Sequence, residues 1–579
     1  MHGGTIVAEV LKNHGVKHIF TLCGGHVSPI LTGANDAGIR VIDTRQEATA
    51  VFAADGSARL TGIPGVAVVT AGPGVTNTIT AVKNAQLAQS PVILIGGATA
   101  TALKGRGALQ DIDQRALFRS HMKWQASAKS VRQIAPLLTK AFFKSRDGIP
   151  GPVFLELPVD LLYPEDTVRQ WYLGATEKSS AKRSIRARLQ QMYLNRHVHK
   201  LFRVPSSAIV PCIKDVKAMA PSPGQIKRAA ALILDSERPV MIMGSPTMAD
   251  PTQASNLASA VRQLGIPTFL AGMSRGLLGM EDPLLCRHQR RVALKEADLV
   301  VLAGMPCDFR LNYGRQISRK DRLIAIHRRR RDLRLNRRPT VGIHADPGLF
   351  IQKLADISKH DSEEWQPWLD KIRQLQDDRE QEIRDLAQQS TDGINPLRLL
   401  GEMDRLLDDG NILVADGGDF VSTASYTVRP RQSPGWLDPG VFGTLGVGAG
   451  FALAAKLCFP DAEVWILYGD GSVGYSIVEM DTFVRHNIPV IAVVGNDAGW
   501  TQINREQVAI LGDAIGTTLA KTKYHEVAQG FGGTGILLDD PSDIRGTLKA
   551  AKAAASDGSP VLVNAILGKT EFRKGSISI

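Results

Sequence analysis

The sequence is short of cysteine and of aromatic residues, and it holds no closely spaced cysteine pair. Its five cysteines, Cys23, Cys212, Cys286, Cys307 and Cys458, are scattered along 579 residues. That spacing argues against a disulfide framework and against a structural zinc site, and it points to a reducing compartment. Aromatic residues make up only 6% of the chain, and none alternate with basic residues to form a platform for nucleic-acid bases. Long charge-free runs are scarce too. Residues 84–103 and 439–455 carry no charge, but Gly, Gln, Asn, Thr or Pro interrupt them, so no membrane span is expected there. His2-Gly3-Gly4 leads straight into an amphipathic pattern, which is not a signal peptide. The closing Gly575-Ser576-Ile577-Ser578-Ile579 is not a peroxisomal tail of the SKL type. There is no short-period repeat.

What remains fits a soluble α/β enzyme of about three to four domains. Hydrophobic residues make up 44% and charged residues 22%, with a net charge of +12. Much of that excess is local, in residues 182–203 and 327–338. Such patches suit a solvated face, a negatively charged cofactor, coenzyme A or an anionic membrane surface. In the first run, Ile185, Leu189, Met192, Tyr193 and Leu201 recur at near-helical spacing among Arg183, Arg186, Arg188, Arg196 and Lys200. Two readings stay open: a linker helix packed on its own protein, or a basic amphipathic helix lying on an anionic membrane.

Three α/β blocks and two connecting segments follow from the hydrophobic pattern. The first block, 1–165, reads as strands at 39–43, 66–70 and 92–96 alternating with helices at 48–60 and 77–88. It closes on a buried strand within 150–158. Residues 166–220 are basic and less regular and read as a linker. The second block, 221–360, opens with a helix from Gly224 and has strands at 239–243 and 299–302. Residues 361–393 read as a charged helical connector. The third block covers 394–579.

The third block carries the main chemical signal. The run Val464-Trp465-Ile466-Leu467-Tyr468 leads into Gly469-Asp470-Gly471, and a second strand, 489–494, leads into Gly495-Asn496-Asp497. The 24 residues between Gly471 and Asn496 leave room for a loop, one helix and a return strand. Two parallel strand ends side by side can grip one divalent ion, and the ion can grip a diphosphate. Asp470 offers a hard carboxylate, the glycines admit phosphate close to the backbone, and Asn496 or Asp497 adds a second oxygen. The pattern resembles the motif of thiamine-diphosphate enzymes.

That cofactor needs three further things: an acid at its pyrimidine ring, a wedge that folds it, and loops that admit flat rings. Glu47, in Arg45-Gln46-Glu47-Ala48, follows a strand and opens an apolar helix. Taken alone it is a helix N-terminal acid; beside the metal motif it is the candidate catalytic acid. Gly72, Pro73, Gly74 and Asn77 form a loop fit for a ring, or a ligand-free tight turn. Leu445, within Gly443-Thr444-Leu445-Gly446-Val447-Gly448, is the candidate wedge, or ordinary core. Trp436 reads as packing.

Together these stretches resemble the acetolactate synthase-like family of thiamine-diphosphate enzymes over nearly the whole length. The likeness also takes in Gly151-Pro152-Val153, Asp416-Gly417-Gly418-Asp419-Phe420 and Ala498-Gly499-Trp500-Thr501-Gln502. It implies three doubly wound parallel-sheet α/β domains: pyrimidine-binding, central and diphosphate-binding, in that order. It implies thiamine diphosphate bound by Glu47, Gly72, Pro73, Gly74, Asn77, Leu445, Gly469, Asp470, Gly471 and Ser472. Mg2+ is expected on Asp470, on Asn496 or Asp497, and on the carbonyl of Gly499. Gln110 is expected to line the site beside Glu47. Two departures stand out: Gln46 replaces a frequent His, and Asp497 takes the second metal-pair position.

The activity implied is a carbon–carbon lyase that splits a 2-hydroxyacyl-CoA into formyl-CoA and an aldehyde one carbon shorter. The alternatives are an acetolactate synthase-type carboligase of 2-keto acids, or a catalytically silent paralogue. A homodimer or homotetramer with shared sites is expected, and the basic residues 328–331 are candidates for the coenzyme A phosphates or for a solvated loop. No nucleic-acid partner is expected. Animal relatives are expected to carry an N-terminal anchor in the endoplasmic reticulum membrane; a native start here would make the protein cytosolic.

Overall fold

The computed structural model describes residues 2–177, 185–203, 216–358 and 362–574. Cys212 and the first residues of the basic run, 182–184, lie outside them. Three parallel six-stranded sheets organise the chain. Sheet one holds β1 (His18–Leu22), β2 (Arg40–Asp43), β3 (Gly65–Val69), β4 (Val92–Ala98), β5 (Trp124–Ser127) and β6 (Val153–Pro158). Sheet two holds β7 (Pro239–Met243), β8 (Thr268–Leu270), β9 (Leu285–Cys286), β10 (Leu299–Ala303), β11 (Arg322–Ile326) and β12 (Val341–Ile343). Sheet three holds β13 (Ile412–Asp416), β14 (Trp436–Leu437), β15 (Val464–Gly469), β16 (Ile491–Asn496), β17 (Thr534–Leu538) and β18 (Val561–Ile566).

Sheets one and three share one topology. Their orders are β2-β1-β3-β4-β6-β5 and β14-β13-β15-β16-β18-β17. Each reverses direction once near one side, between β1 and β3 and between β13 and β15. Open α/β sheets place ligands outside the carboxyl ends of the strands at such a reversal. Sheet two runs β12-β11-β10-β7-β8-β9, with its reversal between β7 and β10.

The central strands are buried along their whole length, which explains their nearly continuous apolar composition. In sheet one, Val66, Val68, Ile93, Ile95 and Leu155 join a core with residues of the helices Gly3–Asn13 and Ile134–Arg146. Each such side chain contributes about 1.5–3 kcal/mol by leaving water. The chain forms two compact units, the first holding sheet one and reaching Val216, the second holding sheets two and three from Lys217 together with Arg59–Gly62.

Several sequence expectations need correction. Residues 166–220, read as a less regular linker, hold two helices, the unexpected Glu165–Glu177 and, on the run whose spacing predicts one, Ile185–Phe202. Val198 and Leu201 are buried, Leu201 within the first core, which ties the second helix down. β1 and β5 escaped the pattern reading: β5 is a half-buried edge strand of mixed polarity, without the alternation that marks a strand. Between Gly471 and Asn496 there is no single helix but a short one, Asp470–Val473, then a 3-10 turn and the helix Met480–Arg485. The strand expected at 489–494 begins at Ile491, after Pro489, which has no N–H for the ladder. The charge-free run 84–103 holds a helix end and β4, and 439–455 a loop and the start of the helix Gly448–Cys458. No helix among the described residues is long and apolar enough to cross a membrane.

Candidate active site

The first unit gathers its candidate residues at the carboxyl edge of sheet one. Glu47 opens the helix Glu47–Thr61 a few residues past β2 and is only 7% exposed. Asn77 Nδ2 donates to Glu47 Oε2 at 3.0 Å. The other oxygen, Oε1, would lie 3.6 Å from a Cβ added to Gly74. The loop after β3 thus closes over the acid that follows β2. On the other side of the reversal, the loop after β1 carries Gly24-Gly25-His26. His26 Nδ1 and Thr70 Oγ1 are 3.3 Å apart, and burial pushes the His26 pKa down. A Cβ on Gly24 would fall 2.4 Å from the Thr70 side chain, so this approach needs glycine.

A buried polar network holds the Gly72-Pro73-Gly74 turn. Gly72 has φ +63 and donates its N–H to Gln114 Oε1 at 2.9 Å. Gln114 Nε2 donates to the Gly97 carbonyl at 3.0 Å and to Glu156 Oε2 at 3.1 Å. Lys104 and Ser127 each donate to Glu156 Oε1 at 2.8 Å. Burial works to raise the Glu156 pKa, but the bonds from Lys104, Gln114 and Ser127 outweigh it and bring the pKa down. Gln110 is half-buried against Gly72, whose added Cβ would come within 2.8 Å of Gln110 Cβ. Its φ of +62 is a left-handed conformation held by a side-chain-bearing residue.

The second unit supplies the acidic loops. β15 and β16 pair in parallel with Gly469 opposite Gly495, so Asp470 and Asn496 leave neighbouring strands at one level. Asp470 is buried and accepts from the Gly471 N–H at 2.8 Å and the Gly499 N–H at 2.9 Å. Burial first, and the Asp497 charge second, push the Asp470 pKa up to about 7. Asp497 is raised as well, by burial and then by Asp419. Between Asp497 and Gly499, Ala498 is left-handed with φ +57.

Asn496 points elsewhere. Its amide nitrogen donates to the Thr522 carbonyl at 3.0 Å and to Asn564 Oδ1 at 3.1 Å. Side chains on a strand alternate between faces, so Asn496 and Asp497 diverge at the strand end.

Asp416, at the end of β13, organises the glycine-rich loop. Its carboxylate accepts from Gly446 N–H at 3.1 Å and Gly448 N–H at 2.8 Å, and burial pushes its pKa up to about 7 against those two bonds. The half-buried Leu445 immediately precedes these anchored amides, with Gly443 and Gly446 at positive φ on either side. The Ser472 hydroxyl is engaged with the carbonyls of Asp416 and Gly469. A Cβ on Gly471 would lie 2.4 Å from the Trp500 ring, and one on Gly417 would lie 2.8 Å from Gly469 N. Trp436 is buried and donates to Asp438 at 2.7 Å, a packing role.

This donor set suits Mg2+ carried on a diphosphate. The buried Asp470 and the half-buried Asp497, whose charge helps raise the Asp470 pKa, invite a cation, and Mg2+ takes one or two carboxylates, its remaining positions going to phosphate and water. Among the described residues no three His, Cys, Asp or Glu side chains cluster as a self-sufficient metal cage, so phosphate oxygens and a backbone carbonyl would complete the shell.

In the basic run 328–331, Arg330 and Arg331 are exposed, but Arg328 is committed to its own fold. Arg328 is buried, donates to the Pro246 carbonyl at 2.9 Å and pairs with Asp346. Residues to which the motifs gave no role include His26, Gln114, Glu156 and Asp416. A glycine pair after β1 was the available signal for His26, and the glycine run in Asp416-Gly417-Gly418 for Asp416. Gln114 and Glu156 lie 42 residues apart with no local motif.

Models of the thiamine pyrophosphate enzyme match the chain in three places. The N-terminal TPP binding domain matches residues 1–117, the central domain 226–354 and the C-terminal TPP binding domain 416–565. The chain is 49% identical to 2-hydroxyacyl-CoA lyase 2 of Danio rerio over 586 residues, all of this chain and 93% of that protein. It is 48% identical to 2-hydroxyacyl-CoA lyase 2 of Homo sapiens, over all of this chain and 92% of that protein. The acetolactate synthase large subunit IlvG of Mycobacterium tuberculosis is 33% identical over 98% of this chain and 96% of that protein.

Proposed function

The chain belongs to the thiamine pyrophosphate enzyme family, and on that basis we propose that it is a lyase acting on 2-hydroxyacyl-CoA. The observation that carries this reading is the contrast in likeness: 49% identity over the whole chain to a 2-hydroxyacyl-CoA lyase 2, against 33% to an acetolactate synthase. In the reaction the C1–C2 bond breaks. The hydroxyl oxygen stays on C2 as the aldehyde oxygen and gives up its proton, and C1 takes a proton and leaves as formyl-CoA.

Bound thiamine diphosphate supplies the electron sink for the pair released by that bond. The chain's own residues supply position and proton control. Glu47, its Oε2 held by Asn77, offers Oε1 to share a proton with a pyrimidine nitrogen. The Gly72–Gln114–Glu156 network keeps the neighbouring turn rigid, and Leu445, just before the amides anchored on Asp416, is the wedge. Mg2+ is assigned to Asp470, Asp497 and the Gly499 carbonyl, because the Asp497 charge acts on Asp470, while the amide nitrogen of Asn496 is held by Thr522 and Asn564 and its oxygen meets no partner. A homo-oligomer is part of the proposal, with the Glu47 half of one copy serving the Asp470 half of another.

The test is product identification. The purified protein with thiamine diphosphate and Mg2+ is given a 2-hydroxyacyl-CoA or, separately, pyruvate, and products are read by mass spectrometry. Formyl-CoA with the shortened aldehyde supports the lyase. Acetolactate from pyruvate with no aldehyde release overturns it.

A further inference from the structure

Outside both halves of the candidate site, the helix Ile185–Phe202 presents a surface that the reaction does not use. Its inner face is fixed. Val198 and Leu201 are buried, and Phe202 packs on the core of the first unit. His197 Nε2 stands 2.8 Å from Thr101 Oγ1, whose hydroxyl proton goes to the Asp160 carboxylate. His197 is therefore the donor in that pair. The Thr101 N–H donates to the same carboxylate at 3.0 Å, and Tyr172 adds a third bond at 2.8 Å. With the inner side anchored, the outer side is set.

Positions 185, 189, 192, 193, 196, 199 and 200 lie on one face by helical spacing. Ile185 is 79% exposed, Leu189 58%, Met192 65% and Tyr193 61%. Arg196, His199 and Lys200 continue the face over the last turns, all exposed. Four large apolar side chains in one stripe form a patch of the kind that marks an interaction site. The stripe runs into basic residues, and no Asp or Glu occurs anywhere from 178 to 214.

We propose that this face docks on the surface of an anionic lipid membrane. The apolar half would enter the boundary between headgroups and acyl chains, and Arg196 and Lys200 would meet lipid phosphates. Tyr193, between the two halves, suits that boundary, since its ring has an apolar body and a polar tip. Charge decides among occupants. A second copy placed helix to helix would gather the cations of both helices in one interface, with no acid on either helix to answer them. The inference stands independently of the reaction the protein performs.

The test is flotation of the full chain with two kinds of vesicle: phosphatidylcholine alone, and phosphatidylcholine with phosphatidylserine in equal parts. Binding is expected to the second kind, to weaken with salt, and to be slight on the first. Leu189→Asp with Met192→Asp should lower binding at least tenfold, and Arg196→Gln and Lys200→Gln about fivefold each, the worth of one basic side chain near such a surface. These positions are exposed, so the unfolding midpoint and thiamine diphosphate affinity should hold, which separates lost docking from lost fold. No binding to the phosphatidylserine vesicles, or equal binding by the Leu189→Asp/Met192→Asp variant, overturns the proposal. A drop in oligomer mass in that variant, with vesicle binding unchanged, would assign the face to a second copy and also overturn it.

Discussion

Asn77 donates its side-chain amide to Glu47 Oε2 at 3.0 Å, joining the turn after β3 to the helix that follows β2. The bond does more than satisfy a buried acid. It fixes the rotamer of Glu47 and leaves Oε1 on the side of Gly74, where a ring could approach. A group that passes protons must be aimed before its acidity matters.

Glu47→Gln keeps size and burial but cannot pass a proton. Its turnover on a 2-hydroxyacyl-CoA should fall about a hundredfold or more. Asn77→Ala should cost less, about tenfold, because it loosens the acid without removing it. Both should leave thiamine diphosphate binding within a few-fold by calorimetry. An unchanged kcat in Glu47→Gln would take Glu47 out of the chemistry.

The acids of the second unit set a pH dependence. Asp470 and Asp416 both sit at about 7, each raised chiefly by burial, and for Asp470 also by Asp497. In the unfolded chain an Asp titrates near about 3.9. Between those values the folded protein holds protons that the unfolded chain has lost, so stability falls as pH rises through the window and levels off above it. Without divalent cation, the urea midpoint should be higher near pH 5 than near pH 8. Mg2+ must displace the Asp470 proton, so its affinity should climb with pH up to about 7 and then flatten. Asp497→Asn should weaken the site and move the climb to lower pH, since it removes the like charge. Calorimetric titration across pH decides this, and a flat profile would detach the ion from Asp470.

The Asp470 loop was legible because its signal is local. A buried strand running into Gly-Asp-Gly, and a second running into Gly-Asn-Asp, predict parallel tips, and Gly469 does pair opposite Gly495. The same locality left the setting of the Asn496 amide unread, since its nitrogen bonds Asn564, 68 residues away. Gln114 and Glu156 were invisible for the same reason. The helix Ile185–Phe202 shows the limit of periodicity. The spacing grouped Leu201 with Ile185, Leu189, Met192 and Tyr193, yet Leu201 is buried and the other four are exposed. Which face meets the core depends on Val198 and its neighbours in space.

If one copy's Glu47 serves another copy's Asp470, two dead variants should revive each other. Glu47→Ala and Asp470→Ala would each be inactive alone. Refolded together in equal amounts, half of the dimers would be hybrids, each with one intact site, giving about a quarter of normal activity for a two-fold assembly. Activity that stays at zero in the mixture would place both residues of a site in one chain.

Gln114 tests the scaffold rather than the chemistry. Its side chain meets three buried partners: the Gly72 N–H, the Gly97 carbonyl and the Glu156 carboxylate. Truncation to Ala leaves all three short of a bond where water has little access, and each buried unmet group costs about 1–3 kcal/mol. Lys104 and Ser127 still bond Glu156, and partial relaxation will recover some of the loss, so Gln114→Ala should lose about 2–4 kcal/mol in urea unfolding. Gln114→Glu should be worse near neutral pH, because it sets a second carboxylate against Glu156 and removes the amide donor. Its deficit should shrink as pH falls and one of the pair takes a proton. A loss in Gln114→Glu that ignores pH would show that Gln114 holds the Gly72 turn without help from Glu156.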